Sequence, residues 1–133
     1  MNKLLFLFFL FSTSISFSNE LDYSLFANYS IKVTAPSNSS YSLDGKDRNG
    51  SVLGGDPPLT FKVGDKVTFS VNAANHPFYL KSVAGTGTEN QISGVTNNGA
   101  TSGSVAWTPT AAGTYYYQCS AHAAMVGTIT IEN

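Results

Sequence analysis

A single cysteine stands in this 133-residue chain, so no intrachain disulfide can form and the fold must hold on its apolar core alone. Charge is sparse: 11% of residues are charged, and seven Lys and Arg face eight Asp and Glu. The basic residues are nowhere gathered in a block, which excludes the electrostatic footprint of a nucleic-acid partner. Histidine is scarce too, with two in all, and Met125 is the one methionine besides Met1. Helical periodicity is missing, since no amphipathic stretch of useful length is visible. The longest unbroken apolar run, residues 4–11, falls well short of the ~20 residues that span a bilayer.

That short run follows Lys3 and leads into a Ser-rich segment with small residues at Ser16 and Ser18. This is the layout of a cleaved secretory signal. We therefore expect a signal peptide over residues 1–18, one domain over residues 19–133, and no stable membrane anchor. The protein is then exported, to a periplasm or an extracellular space. One thiol left over in an oxidising place asks for a partner: another chain, a reaction or a metal.

Period-two alternation dominates the rest. Tyr29, Ile31 and Val33 share one parity, as do Leu59, Phe61 and Val63, and then Val67, Phe69 and Val71. Gly64-Asp65 between the last two runs is a two-strand turn signal. His76, Phe78 and Leu80 form another set, Val105 and Trp107 another, then Tyr115, Tyr117 and Cys119, and finally Gly127, Ile129 and Ile131. Short strands separated by Gly, Asn, Asp and Pro predict an all-β, antiparallel sandwich of seven or eight strands. Residues 34–58 are rich in turn formers and predict a long excursion with one short strand near Tyr41 to Leu43. Residues 85–103 read as a second polar connection, with a brief strand around Gln91 and Ile92. Asn28, Asn38 and Asn49 each begin an Asn-X-Ser sequon, which is either a glycan acceptor or loop composition.

The stretch "YYYQCSAHAAM" carries the chemistry. Cys119 closes a strand, and His122 and Met125 follow at spacings that let a tight loop swing both back towards it. Thiolate, imidazole and thioether make a soft set that suits copper in both its +1 and +2 states. His76, the other histidine, lies at the start of a different strand on the apolar parity, and completes a set of four. Zinc is a poorer match, because its structural sites prefer several cysteines or histidines. A cysteine nucleophile would want a third group to orient the imidazole, and residues 115–128 contain no acid. With four ligand positions filled and no second metal, an enzyme is not expected.

At this point the chain resembles a known family. "PLTFKVGDKVTFSV", "NHPF" and "AGTYYYQCSAHAAMVGTITI" look like the cupredoxins, the small blue-copper proteins, in the branch of plastocyanin, amicyanin and pseudoazurin. The resemblance implies a Greek-key sandwich with one type 1 copper, held strongly by His76, Cys119 and His122 and weakly by an axial Met125. It further implies a monomeric electron carrier with transient redox partners, docking through a small apolar patch of Ala121, His122, Ala123 and Ala124. An exported copper carrier or store, or a non-redox binding module on the same fold, are the alternatives. One position departs from the family. Many relatives carry Asn after the first histidine, where its N–H bonds the cysteine sulfur; here Pro77 has no N–H to give. Losing that bond favours Cu(II), whereas drying the site favours Cu(I), so the two consequences oppose each other. Asn75, just before His76, either locks the loop through its side chain or serves as a plain turn residue.

Overall fold

The computed structural model describes residues 25–133. The expected signal peptide and the first residues of the domain lie outside the described residues. Nine strands follow in order: β1 Asn28–Thr34, β2 Ser42–Asp47, β3 Gly50–Gly55, β4 Leu59–Lys62, β5 Lys66–Asn72, β6 Phe78–Lys81, β7 Ser102–Trp107, β8 Gly113–Cys119 and β9 Val126–Glu132. They form two sheets, one ordered β3-β2-β1-β5-β7 and the other β4-β9-β8-β6. The all-β sandwich stands. Among the described residues no helix is long and apolar enough to cross a membrane.

Alternation places the core between the sheets. Ile31, Val33, Phe69, Val71 and Val105 point inward from the first sheet, and Phe61, Leu80, Tyr117, Ile129 and Ile131 from the second, all buried. Towards one end the core turns aromatic. Phe78 touches Phe69 at 5.1 Å, Tyr41 edge-on at 5.1 Å and Tyr117 in a stacked pair at 5.6 Å between ring centroids. These rings bury large areas and lock one another's orientation. The candidate ligands sit just beyond them.

Three features differ from the expectation. The described residues form nine strands, because residues 34–58 form a hairpin, β2–β3, instead of a single short strand. Its Gly, Ser and Asp content reads as turn, but backbone pairing of β2 with β1 extends the sheet regardless of side-chain propensity. Second, the sheets are mixed: β1 runs parallel to β5, and β4 parallel to β9. Side-chain parity carries no information about strand direction. Third, Gly64-Asp65 joins no hairpin, since β4 and β5 belong to different sheets. The turn is a corner, with Gly64 at φ 89° and its N–H donated to Pro109.

Asp65 secures that corner. Its buried carboxylate accepts the N–H groups of Ala27 (2.9 Å) and Lys62 (2.8 Å) and a two-pronged contact from Arg48 at 2.6 and 3.0 Å. Burial pushes the Asp65 carboxyl up, but Arg48 and the two backbone donors outweigh it and hold it below the usual carboxylate range.

The long connection from β6 to β7 covers the free edge of β6. Ile92 donates its N–H to Leu80, while the Asn98 side chain accepts from the Leu80 N–H at 2.7 Å and donates to its carbonyl at 3.0 Å. Gln91 bridges Lys81, as its expected brief strand suggests, without forming a strand of its own. An otherwise open sheet edge is thereby closed to pairing with other chains.

Candidate metal centre

Two segments meet at the aromatic end of the sandwich. Cys119 is the last residue of β8 and pairs with Phe78, the first of β6. His76 therefore lies just past the end of that ladder, on the side facing Cys119. A turn brings it there: the His76 N–H bonds the Ala73 carbonyl at 2.9 Å, and Asn75 takes φ 66°. Asn tolerates this left-handed conformation better than most residues. Asn75 itself is exposed, and its backbone makes the turn.

The second segment is the tight loop after β8. The Cys119 N–H bonds the Met125 carbonyl at 2.9 Å, and the Met125 N–H bonds the His122 carbonyl at 3.2 Å. The loop thus folds back on the strand end. His122 is half-buried, Met125 fully buried, and Ala121, Ala123 and Ala124 exposed around the imidazole.

The structure brings His76, Cys119 and His122 together, with one ligand atom of each within 4.8 Å of the others. The Cys119 Sγ lies 3.9 Å from His76 Nδ1 and 3.6 Å from His122 Nδ1. The two imidazole centroids are 4.8 Å apart. A first-row ion with bonds of ~2.0–2.1 Å to nitrogen and ~2.3 Å to sulfur needs N···S separations of ~3.6–3.8 Å. The two N···S separations lie close to that range. Their softness, with the thioether of Met125 in the same loop, points to copper.

Two residues that parity and motif did not single out surround the group. Tyr41, fully buried just before β2, donates its O–H towards the carbonyls of Pro77 (2.9 Å) and His76 (3.1 Å). Burial pushes its phenol well up, and the neighbouring Cys119 adds to that. It bridges the excursion at residues 34–58 to the His76 segment. Gln118 is 1% exposed although it lies on the outward parity of β8. Tyr41 was legible as an apolar strand residue but not as a contact of Pro77, because that contact joins segments 36 residues apart. Gln118 carries no sequence signal at all.

No protein-family model and no curated protein matches the chain. Among solved structures, an oxidised amicyanin variant is 35% identical, with 57% of this chain and 70% of that one covered and a TM-score of 0.41. Rusticyanin from Thiobacillus ferrooxidans is 25% identical over 79% of this chain and 77% of that one, at a TM-score of 0.46. A reduced rusticyanin is 24% identical over 79% of each chain, also at 0.46. The amicyanin likeness holds about a third of the aligned residues identical, and His76, Cys119 and His122, with Met125 on the same loop, form a group that fits one type 1 copper ion, so the chain is similar to the cupredoxins.

Proposed function

We propose that the protein is an exported electron carrier in which His76, Cys119 and His122 are the strong ligands of one copper ion and Met125 the weak axial one. Convergence of three donors from segments 43 residues apart, with both N···S separations close to those an ion demands, is the observation that carries this reading. Copper bound there would supply a one-electron Cu(II)/Cu(I) couple. That amicyanin is solved in oxidised and reduced states supports the same use here.

The chain's own residues serve such a couple in three ways. Cys119 ends β8 and His76 lies two residues before β6, next to the Phe78–Tyr117–Tyr41 cluster, so the sheet and the turn before it set their positions. Met125 is sealed from solvent, and His76 nearly so, which keeps water from the donors. His122 alone reaches the surface, among Ala121, Ala123 and Ala124, and would be the route for the electron. Small apolar side chains make a patch suited to brief docking by a redox partner, since such encounters use small interfaces. Asn75 and Pro77 act through the backbone that carries His76. The protein works as a monomer in a periplasm or extracellular space, behind a signal over residues 1–18.

The test is to load the purified protein with one equivalent of copper and follow the visible spectrum through a redox cycle. An intense thiolate-to-copper band that bleaches and returns reversibly is expected. A colourless, Cu(I)-only protein would make it a copper carrier or store, and failure to bind copper would leave a non-redox binding module.

A further inference from the structure

Gln118 is buried on the outer face of β8, where its neighbour on the same parity, Tyr116, stays half-exposed. Its amide nitrogen lies 3.0 Å from the carbonyl of Cys119, 3.1 Å from that of His122 and 3.2 Å from that of Met125. Those three carbonyls belong to the three candidate ligands of the loop. The amide oxygen accepts the N–H of Gly85 at 3.2 Å. Orientation of the amide is fixed by chemistry: three carbonyls demand the NH2 end, and a backbone N–H demands the oxygen. Every polar atom of this buried side chain has a partner, as the low-dielectric setting requires.

The loop at residues 82–88 meets Gln118 through Gly85, and that loop has its own anchor. Lys81 is 1% exposed, and its ammonium donates to the carbonyls of Gly85 (2.6 Å) and Gly87 (2.9 Å), with that of Thr86 at 3.5 Å. Carbonyl dipoles thus answer a buried charge that forms no ion pair among the described residues, and burying a charge is costly unless such partners surround it. The Gly87 N–H then reaches the Ser120 carbonyl at 2.8 Å, so the pinned loop touches the ligand loop twice, through Gln118 and through Ser120.

We propose that Gln118 is the positioning residue of the metal centre: it gathers the backbone of Cys119, His122 and Met125 before any metal binds, and the Lys81-anchored loop holds it in place. The consequence for copper rests on the reading given above, but the claim about the loop does not. A backbone already gathered spares the ion the cost of ordering six loop residues on binding, and limits movement between oxidation states.

Two variants and one measurement on the unaltered protein test this. Gln118→Met keeps length and apolar bulk but removes all four hydrogen bonds. Gln118→Glu keeps an acceptor for Gly85 but sets an oxygen against the three carbonyls. Both are expected to weaken copper binding in chelator competition by about 10- to 100-fold and to move the midpoint potential and the Cu(II) EPR signal. Both variants folding, with copper affinity within about twofold of the parent and unchanged potential and EPR, overturns the proposal. In the metal-free parent protein, 15N relaxation should give the amides of residues 119–126 the order of rigid backbone, about 0.85 in S². Values below about 0.6 there overturn it as well, even if neither variant folds. A parent protein that binds no copper would sink the copper reading, while the metal-free relaxation would still decide whether the loop is held.

Discussion

Tyr41→Phe removes one oxygen atom from the core and leaves the ring in place. The packing with Phe78 at 5.1 Å and with Tyr117 at 6.4 Å is retained, so what disappears is the O–H shared by the carbonyls of His76 and Pro77. A neutral hydrogen bond contributes about 1 kcal/mol net, and a buried carbonyl left short of a partner costs about 1–3 kcal/mol, so about 2 kcal/mol is expected. For a domain of this size that is a fall in Tm of roughly 6–12 °C. The metal centre should register it too, because the freed carbonyls belong to His76 and to the proline beside it. Tyr117→Phe is the matched comparison: it deletes an O–H bonded at 2.7 Å to the Pro57 carbonyl, away from the ligand segments. Thermal unfolding of the metal-free proteins and the visible spectrum of the copper-loaded ones give the two readouts. Both variants should lose stability, and only Tyr41→Phe should shift the band and the midpoint potential. The reasoning fails if Tyr41→Phe changes neither, or if Tyr117→Phe shifts the spectrum as far.

Three more outcomes are expected. Asp65→Asn should cost about 3 kcal/mol in urea denaturation, the lower end for a broken buried pair, because Arg48 is partly exposed. Since the folded state holds the Asp65 carboxyl below its unfolded value, its contribution is present above the unfolded pKa and is lost as pH falls through the folded one. The gap between the parent and Asp65→Asn should therefore narrow in acid, and a constant gap would refute this linkage. Gly127→Ala would set a Cβ 2.1 Å from the ring of the fully buried, hydrogen-bonded Tyr117, and should destabilise by about 1–3 kcal/mol or prevent folding. A normal Tm for that variant would show that the ring can move. Cys119→Ser should keep the fold, seen by far-UV circular dichroism, and lose the thiolate-to-copper band entirely.

The sandwich was legible in the chain because alternation reports directly which side chains face a core. Ile31, Val33, Phe69, Val71, Ile129 and Ile131 are buried as their parity says. Strand direction, the corner at Gly64-Asp65 and the β2–β3 hairpin were not, since they depend on backbone hydrogen bonds between distant segments. The same division runs through the metal centre. Scarcity made its donors conspicuous: one cysteine and two histidines leave few ways to build a soft site, and local spacing places two donors and a thioether on one loop.

Which atoms are available to a metal and which residues alternate into the core are local properties of composition and period, and both can be read along the chain. What holds those atoms in place depends on contacts between distant segments. Tyr41 reaches Pro77 across 36 positions, and Gly85 reaches Gln118 across 33. A polar side chain on an outward strand position looks solvated in the sequence, whereas Gln118 is buried and bonded to the backbone of Gly85 and of the ligand loop.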